Sequence, residues 1–207
     1  MLSAVITADI VNSTKLSKPE YKKLVKSLTV VLQPHQYEFF RGDSFQVLIK
    51  SAEEAFKILL QTRTSAMKLS GASMPTADIR ASIGIGNIKF PVKSFQTASG
   101  DVFVLSGRSF DKLPKEERLI MVCDEKHKAI NLGLKLTSQF IDYHFQRLTF
   151  KQAAVVHELL MNRTQIDTAK RLKKSQATVH KHTQSAGWPE IEKLLEDYKN
   201  LIALIEP

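Results

Sequence analysis

The stretch from Leu148 to Trp188 (LTFKQAAVVHELLMNRTQIDTAKRLKKSQATVHKHTQSAGW) constrains the fold most, because its capping residues leave room only for short helices. Thr164 can cap a helix running from Gln165 through Ala169 to Leu172, and Ser175 can cap a second that carries Val179 inward. Lys173 and Lys174 form the turn between them. With the helix before Thr164, the pattern reads as three short helices, the last two spaced as a helix-turn-helix. Ala169 falls where a small residue lets two helices cross closely, while Leu172 and Val179 face a shared core. Glycine is usual in this turn and Lys173 stands there instead. Positive φ at that lysine would be strained by roughly 1 kcal/mol, which leaves another turn shape open to it.

This spacing points Gln176, Thr178, Lys181 and His182 outward, with Lys173, Lys174 and Ser175 at the start of the same helix. Such side chains bond to base edges and phosphates in a major groove. Lys151, Arg163, Lys170, Arg171, Lys173, Lys174 and Lys181 outweigh the acids Glu158 and Asp167 in the stretch, the charge footprint of a duplex-DNA reader. The competing account is an ordinary helical hairpin kept soluble by its lysines.

At 207 residues with 43% hydrophobic content, the chain can bury a sizeable core and divides into two domains. No apolar run is long enough to span a bilayer, and the opening MLSAVITADI is too short for a signal peptide. A single cysteine, Cys123, excludes an internal disulfide and fits a cytoplasmic protein. The formal net charge of +9 favours polyanionic partners. The six histidines show no zinc spacing.

Leu2 to Ile10 reads as a buried strand with Asp9 at its end, and Asn12, Ser13 and Thr14 supply capping groups. A helix follows on Leu16, Tyr21, Leu24, Val25 and Leu28. Tyr37–Phe40 and Phe45–Ile49 form a hairpin about a tight turn, Arg41 to Ser44, with Asp43 at its tip. Ala52 to Leu69 has helical spacing. Ile79 to Gly86 returns to period two, with Gly84 and Gly86 marking close backbone approach or a bulge. A polar loop around Thr97 to Gly100 leads into Val102–Leu105 and a helix from Ser109 to Leu113. Arg118–Val122 is a strand and Lys126–Tyr143 a helix. After Trp188, a packing anchor, Pro189 opens a last helix with Ile191, Leu194, Leu195, Tyr198, Ile202 and Ile205 on one side. Its acids would repel DNA phosphate, so it packs on the protein or pairs two subunits.

Three segments, AVITADIVNSTKLS, FFRGDSFQVLI and ASGDVFVLSGRSFDKL, followed by the TQ…A…L…SQ…V…AGW tail, resemble the SatD family of bacterial proteins over nearly the whole chain. The tail is similar to the DNA-binding fourth region of sigma factors, and the front half, more remotely, to class III nucleotide cyclase domains. The cyclase resemblance matches Asp9, Ile10 and Thr14 at the first strand end, Gly42 and Asp43 in the hairpin, and Ile83–Gly86 in the later strand. It implies that Asp9 and Asp43 are metal ligands, suited to Mg²⁺ holding a triphosphate, with an open helix N-terminus after Asp9 for phosphate oxygens. Gly100 and Arg108 keep the family's later spacing, but the place of its transition-state asparagine is taken by Val104, which donates no hydrogen bond. From the residues themselves the competing account is that Asp9 caps a helix and Asp43 serves an ordinary turn.

The expected fold is therefore α+β: a ferredoxin-like, nucleotide-cyclase-like α/β sandwich over residues 1–145, followed by a small all-α helix-turn-helix domain over 146–207. The expected function is a homodimeric DNA-binding transcriptional regulator. Its non-catalytic front domain binds a nucleotide or other phosphate-bearing ligand at Asp9, Asn12, Ser13, Thr14, Asp43 and Arg108, with Mg²⁺ at Asp9 and Asp43. The alternatives are a divergent Mg²⁺-dependent nucleotide-processing enzyme with a regulatory tail, or a tail that binds RNA polymerase.

Overall fold

A computed structural model describes residues 2–40, 42–70, 77–88, 90–92, 94–95 and 100–205. Arg41 of the expected turn, and residues 97–99 of the expected polar loop, lie outside this set. Five strands, β1 (Ser3–Val11), β2 (Gln36–Phe40), β3 (Ser44–Ile49), β4 (Asp78–Gly86) and β5 (Leu119–Val122), form one sheet in the order β2-β3-β1-β4-β5. All neighbours are antiparallel except β4 and β5. The helices α1 (Lys18–Leu32) and α2 (Ala52–Met67) connect β1 to β2 and β3 to β4, which makes the first four strands a split β-α-β unit. Then come α3 (Asp101–Lys112), α4 (Lys128–Phe145), α5 (Phe150–Leu160), α6 (Gln165–Leu172), α7 (Gln176–Ser185) and α8 (Trp188–Ala203). The architecture is α+β.

The period-two pattern of β1 divides the sheet into two working faces. Ala4, Ile6, Ala8 and Ile10 join the main core with α1 and α2, and the intervening Val5 packs with Val102 and Phe103 of α3 on the other side. α3 is one continuous helix, where the sequence had suggested an apolar run and then a helix. It lies close to the sheet because β4 has Gly84 beneath it: a Cβ there would stand 2.6 Å from the Val102 carbonyl oxygen.

A buried ion cluster ties the sheet to the helices. The Arg63 guanidinium of α2 donates in bidentate fashion to Asp78 of β4 at 3.1 and 2.8 Å, and to Asp142 of α4 at 2.6 Å. The other Asp142 oxygen accepts the Leu119 N–H at 3.1 Å, where β5 begins.

α5 serves two cores at once. Ala153, Val156 and Leu160 enter the main one. Val155 and Leu159 hold Ala169 of α6 and Val179 of α7 in a small second cluster. Trp188 packs on both. The last helix lies against the protein: Ile191, Tyr198 and Ile202 of α8 are buried, and the Tyr198 hydroxyl donates to the Ala52 carbonyl at 2.8 Å. No helix among the described residues is long and apolar enough to cross a membrane.

Candidate nucleic-acid interface and acidic edge

The two carboxylates picked out in the sequence do meet. β1 places Asp9 opposite Ser44 of β3 and Arg80 of β4. Asp43, just before β3, accepts the Ile10 N–H on its carbonyl at 3.0 Å, and its Oδ2 accepts the Ser13 hydroxyl at 2.8 Å. The Tyr21 hydroxyl donates to the neighbouring Gly42 carbonyl. Burial raises the pKa of Asp9 above the usual carboxylate range, Arg80 pulls it down, and the Asp43 charge pushes it up again.

Arg108 lies elsewhere. It is exposed on α3 and lines a cleft of about 410 Å³ with Gly86, Asp101 and Asp124. Gly86 pairs with Ser3, six residues along β1 from Asp9. The cation beside Asp9 is Arg80, whose Nε lies 3.7 Å from Asp9 Oδ2 and whose guanidinium sits 4.6 Å over the Phe110 ring. That Nε is buried, and among the described residues it finds no hydrogen-bond partner. Sequence reasoning did not single out Arg80, although the alternation of β4 puts it on the face of Ser82 and Gly84. Pairing it with Asp9 needed the strand order, which local pattern does not carry.

The helix N-terminus expected directly after Asp9 is absent from that place. β1 continues to Val11, Asn12 takes a left-handed conformation, and a 3₁₀ turn covers Ser13–Lys15 with Thr14 exposed. α1 starts only at Lys18, and its start is organised by Glu20, whose carboxylate accepts from the Ser17 N–H and hydroxyl, each at 2.7 Å. Asn12, Ser13 and Thr14 therefore act without a following helix dipole. Two carboxylates suit Mg²⁺, which takes one or two of them and keeps several waters. Among the described residues no group of three or more His, Cys, Asp or Glu is placed to hold a metal ion. Asp9 and Asp43 could supply two of the six positions, with Arg80 already supplying positive charge to Asp9.

The α6–α7 pair is built as its caps predict. Thr164 accepts the Asp167 N–H and Ser175 the Thr178 N–H, each at 3.1 Å. Ala169 and Val179 are buried, and Leu172 packs beside them. The turn is the strained one: Lys173 adopts φ 52°, ψ 48°, the left-handed conformation that glycine takes without penalty.

The outward face of α7 differs from the expected set in two members. Gln176 and Lys181 are exposed, with Lys173, Lys174 and Ser175 ahead of them. Thr178 is half-buried and committed to the cap, its hydroxyl 2.9 Å from Ser175 Oγ. His182 is also half-buried. His180 and Gln184 stand fully outside, with Ala177 between them and Lys181. The inward Val179 was the signal for this: a four-residue step from it reaches Thr183, also buried, while four-residue steps from exposed Gln176 reach His180 and Gln184.

The basic field is also narrower than the sequence count implies. Glu158, 5% exposed, accepts from Arg163 and from Arg171 Nε at 2.8 Å, so two of the seven cations are paired. Lys170, Lys173, Lys174 and Lys181 remain exposed on α6, the turn and α7.

No protein-family model and no curated protein match this sequence. Among solved structures the chain is similar to the guanylyl cyclase Cya2, at 15% identity over 58% of this chain and 74% of that one, with a TM-score of 0.40. It is similar also to two structures of bacterial light-regulated adenylyl cyclases. One shows 17% identity over 59% of this chain and 43% of that one, TM-score 0.39. The other shows 16% identity over 58% of this chain and 74% of that one, TM-score 0.38. Similarity at this level identifies no activity.

Proposed function

We propose that this protein is a duplex-DNA-binding regulator that reads base edges through α7. Residues 146–207 are the reading module and residues 1–145 a sensor or dimerisation part. The observation that carries the reading is the open face of α7, where Gln176, His180, Lys181 and Gln184 stand exposed without a carboxylate among them. Glutamine amides match the N6/N7 edge of adenine. Lys170, Lys173, Lys174 and Lys181 suit the flanking phosphates. Buried Val179 and Thr183 hold the helix against α5 and α6 while its other side stays free. The resemblance of the tail to the fourth region of sigma factors supports the same reading. Mobility shift of a duplex by the full chain tests it. Lys181→Ala is expected to weaken binding to every duplex by a similar factor, and equal shifts by variant and wild type would remove α7 as the reading element.

The acidic edge supports a second, smaller proposal: Asp9, Ser13 and Asp43 bind a phosphate-bearing ligand through Mg²⁺. The Asp43 charge adds to the proton affinity of Asp9, a repulsion that a shared cation would relieve, and Ser13 already orients the Asp43 carboxylate. When bound, Mg²⁺ would neutralise phosphate charge there. Val104 offers no hydrogen bond at the place where the cyclase resemblance puts an asparagine, which favours binding over turnover. Calorimetric titration with ATP or GTP and Mg²⁺ is expected to give heat that Asp43→Ala abolishes. Turnover of nucleotide by wild type, lost in that variant, would favour the enzymatic alternative.

A further inference from the structure

Four large apolar side chains on α4 are exposed: Leu132 and Leu136 at 58%, Phe140 at 48%, and Tyr143 at 61% with the Arg147 guanidinium 3.3 Å over its ring. They recur every three or four residues along the helix, opposite the face that buries Ile130, Leu134, Ile141 and Phe145 in the main core. We propose that this stripe is the seat of a second copy of the same chain, packed antiparallel about a two-fold axis.

Area comes first. Fully exposed side chains of this size present on the order of 200 Å² each, so the stripe offers roughly 450 Å² per copy and about 900 Å² for a pair. Rim residues such as Lys135 and Gln139 extend the contact toward the ~1,200 Å² at which specific interfaces begin. A patch of this size matches the largest one on a typical monomer, which is often an interaction site.

Charge sets the direction. Exposed Asp124 and Glu125 precede α4, beside Lys126 and Lys128, so that end is near neutral. Exposed Arg147 and Lys151 follow it, and the nearest acid before them, Asp142, is buried and bonded to Arg63. α4 has 18 residues and so is about 27 Å long. Antiparallel packing sets the cationic end of one copy against the near-neutral end of the other, where Asp124 and Glu125 are within reach; parallel packing sets the two cationic ends together.

The third argument rests on the reading of α7 given above: one short helix contacts too few bases for useful specificity, so a reader needs a second copy. The stripe is mechanically joined to that helix. Phe140 stacks on His144 with ring centroids 6.2 Å apart and planes 5° from parallel. The His144 Nε2–H donates at 2.7 Å to the carbonyl of Ala186, which ends α7. Gly187, with φ 61°, admits the ring; a Cβ there would lie 2.7 Å from His144 Cε1. A contact at Phe140 therefore fixes where each copy holds its reading helix.

Sedimentation velocity of the full chain over a range of micromolar concentrations tests the interface. Wild type is expected to form a dimer. The double variant Leu136→Asp, Phe140→Asp is expected to stay monomeric with unchanged circular dichroism, and to bind DNA about tenfold or more weakly. A wild type monomeric throughout, including one that takes an acidic foreign helix on the stripe, overturns the proposal. So does a double variant that sediments as wild type. A dimer broken by the variant in a protein that shifts no DNA keeps the interface and discards the reading of α7. A monomer that shifts DNA does the reverse.

Discussion

Buried titratable groups decide how this chain responds to pH. His157 of α5 has its Nδ1 3.2 Å from the Thr64 hydroxyl. Burial, with Lys68 beside it, pushes its pKa down to about 4 against an opposing pull from Glu158. Below its ordinary value near 6.5 the unfolded chain takes up a proton that the folded chain refuses, so stability falls as pH drops from about 6.5 toward 4. Urea unfolding is expected to lose roughly 2 kcal/mol between pH 7 and 5 from this group. His157→Gln should flatten that part of the profile, and a variant that keeps the full slope would contradict the assignment. Sequence alone exposed little of this layer. The Arg63–Asp78–Asp142 cluster joins residues up to 79 positions apart, and no local pattern distinguishes its members from surface charges. The Glu158 pairs with Arg163 and Arg171 were hidden in the same way, although all three lie within 13 positions.

Elements were more legible than residues, because hydrophobic period and capping chemistry are local. β1, α2, β4, α6 and α7 fall within a few residues of where their patterns put them. The start of α1 was misread: Asn12 to Thr14 look like caps, but Ser17 with Glu20 three residues on is the box that closes. Gly84 left a bulge and a close approach open, and the close approach is what forms. Gly84→Ala would press a methyl against the Val102 oxygen and, at 2.8 Å, the Ser106 nitrogen, both helix backbone. α3 must then lift from the sheet, and a stability loss of about 1–3 kcal/mol is expected in thermal unfolding. An unchanged melting temperature would mean that α3 is held less closely than described. The αL turn at Lys173 illustrates the reverse difficulty: the sequence identified the strain, and packing of Ala169 and Val179 outweighs it.

At the scale of the whole molecule, α5 and α8 fasten the α6–α7 pair to the sheet, through shared cores and bonds such as Gln61 Nε2 to the Leu160 carbonyl at 2.8 Å. The sequence placed a boundary at residues 145 and 146, where strands give way to helices, and left open whether the last helix packs on the protein or pairs two subunits. The attachment also gives the acidic edge and the α4 stripe a physical route to the reading helix through packed elements. The central claim stays the engagement of duplex DNA by α7. Its most direct measurement is the slope of log affinity against log salt for the full chain and for Lys181→Ala. The account predicts a steep negative slope for wild type that becomes shallower by about 1 in the variant, the loss of one phosphate-region cation. Affinity that does not depend on salt, or identical slopes for the two proteins, would contradict it.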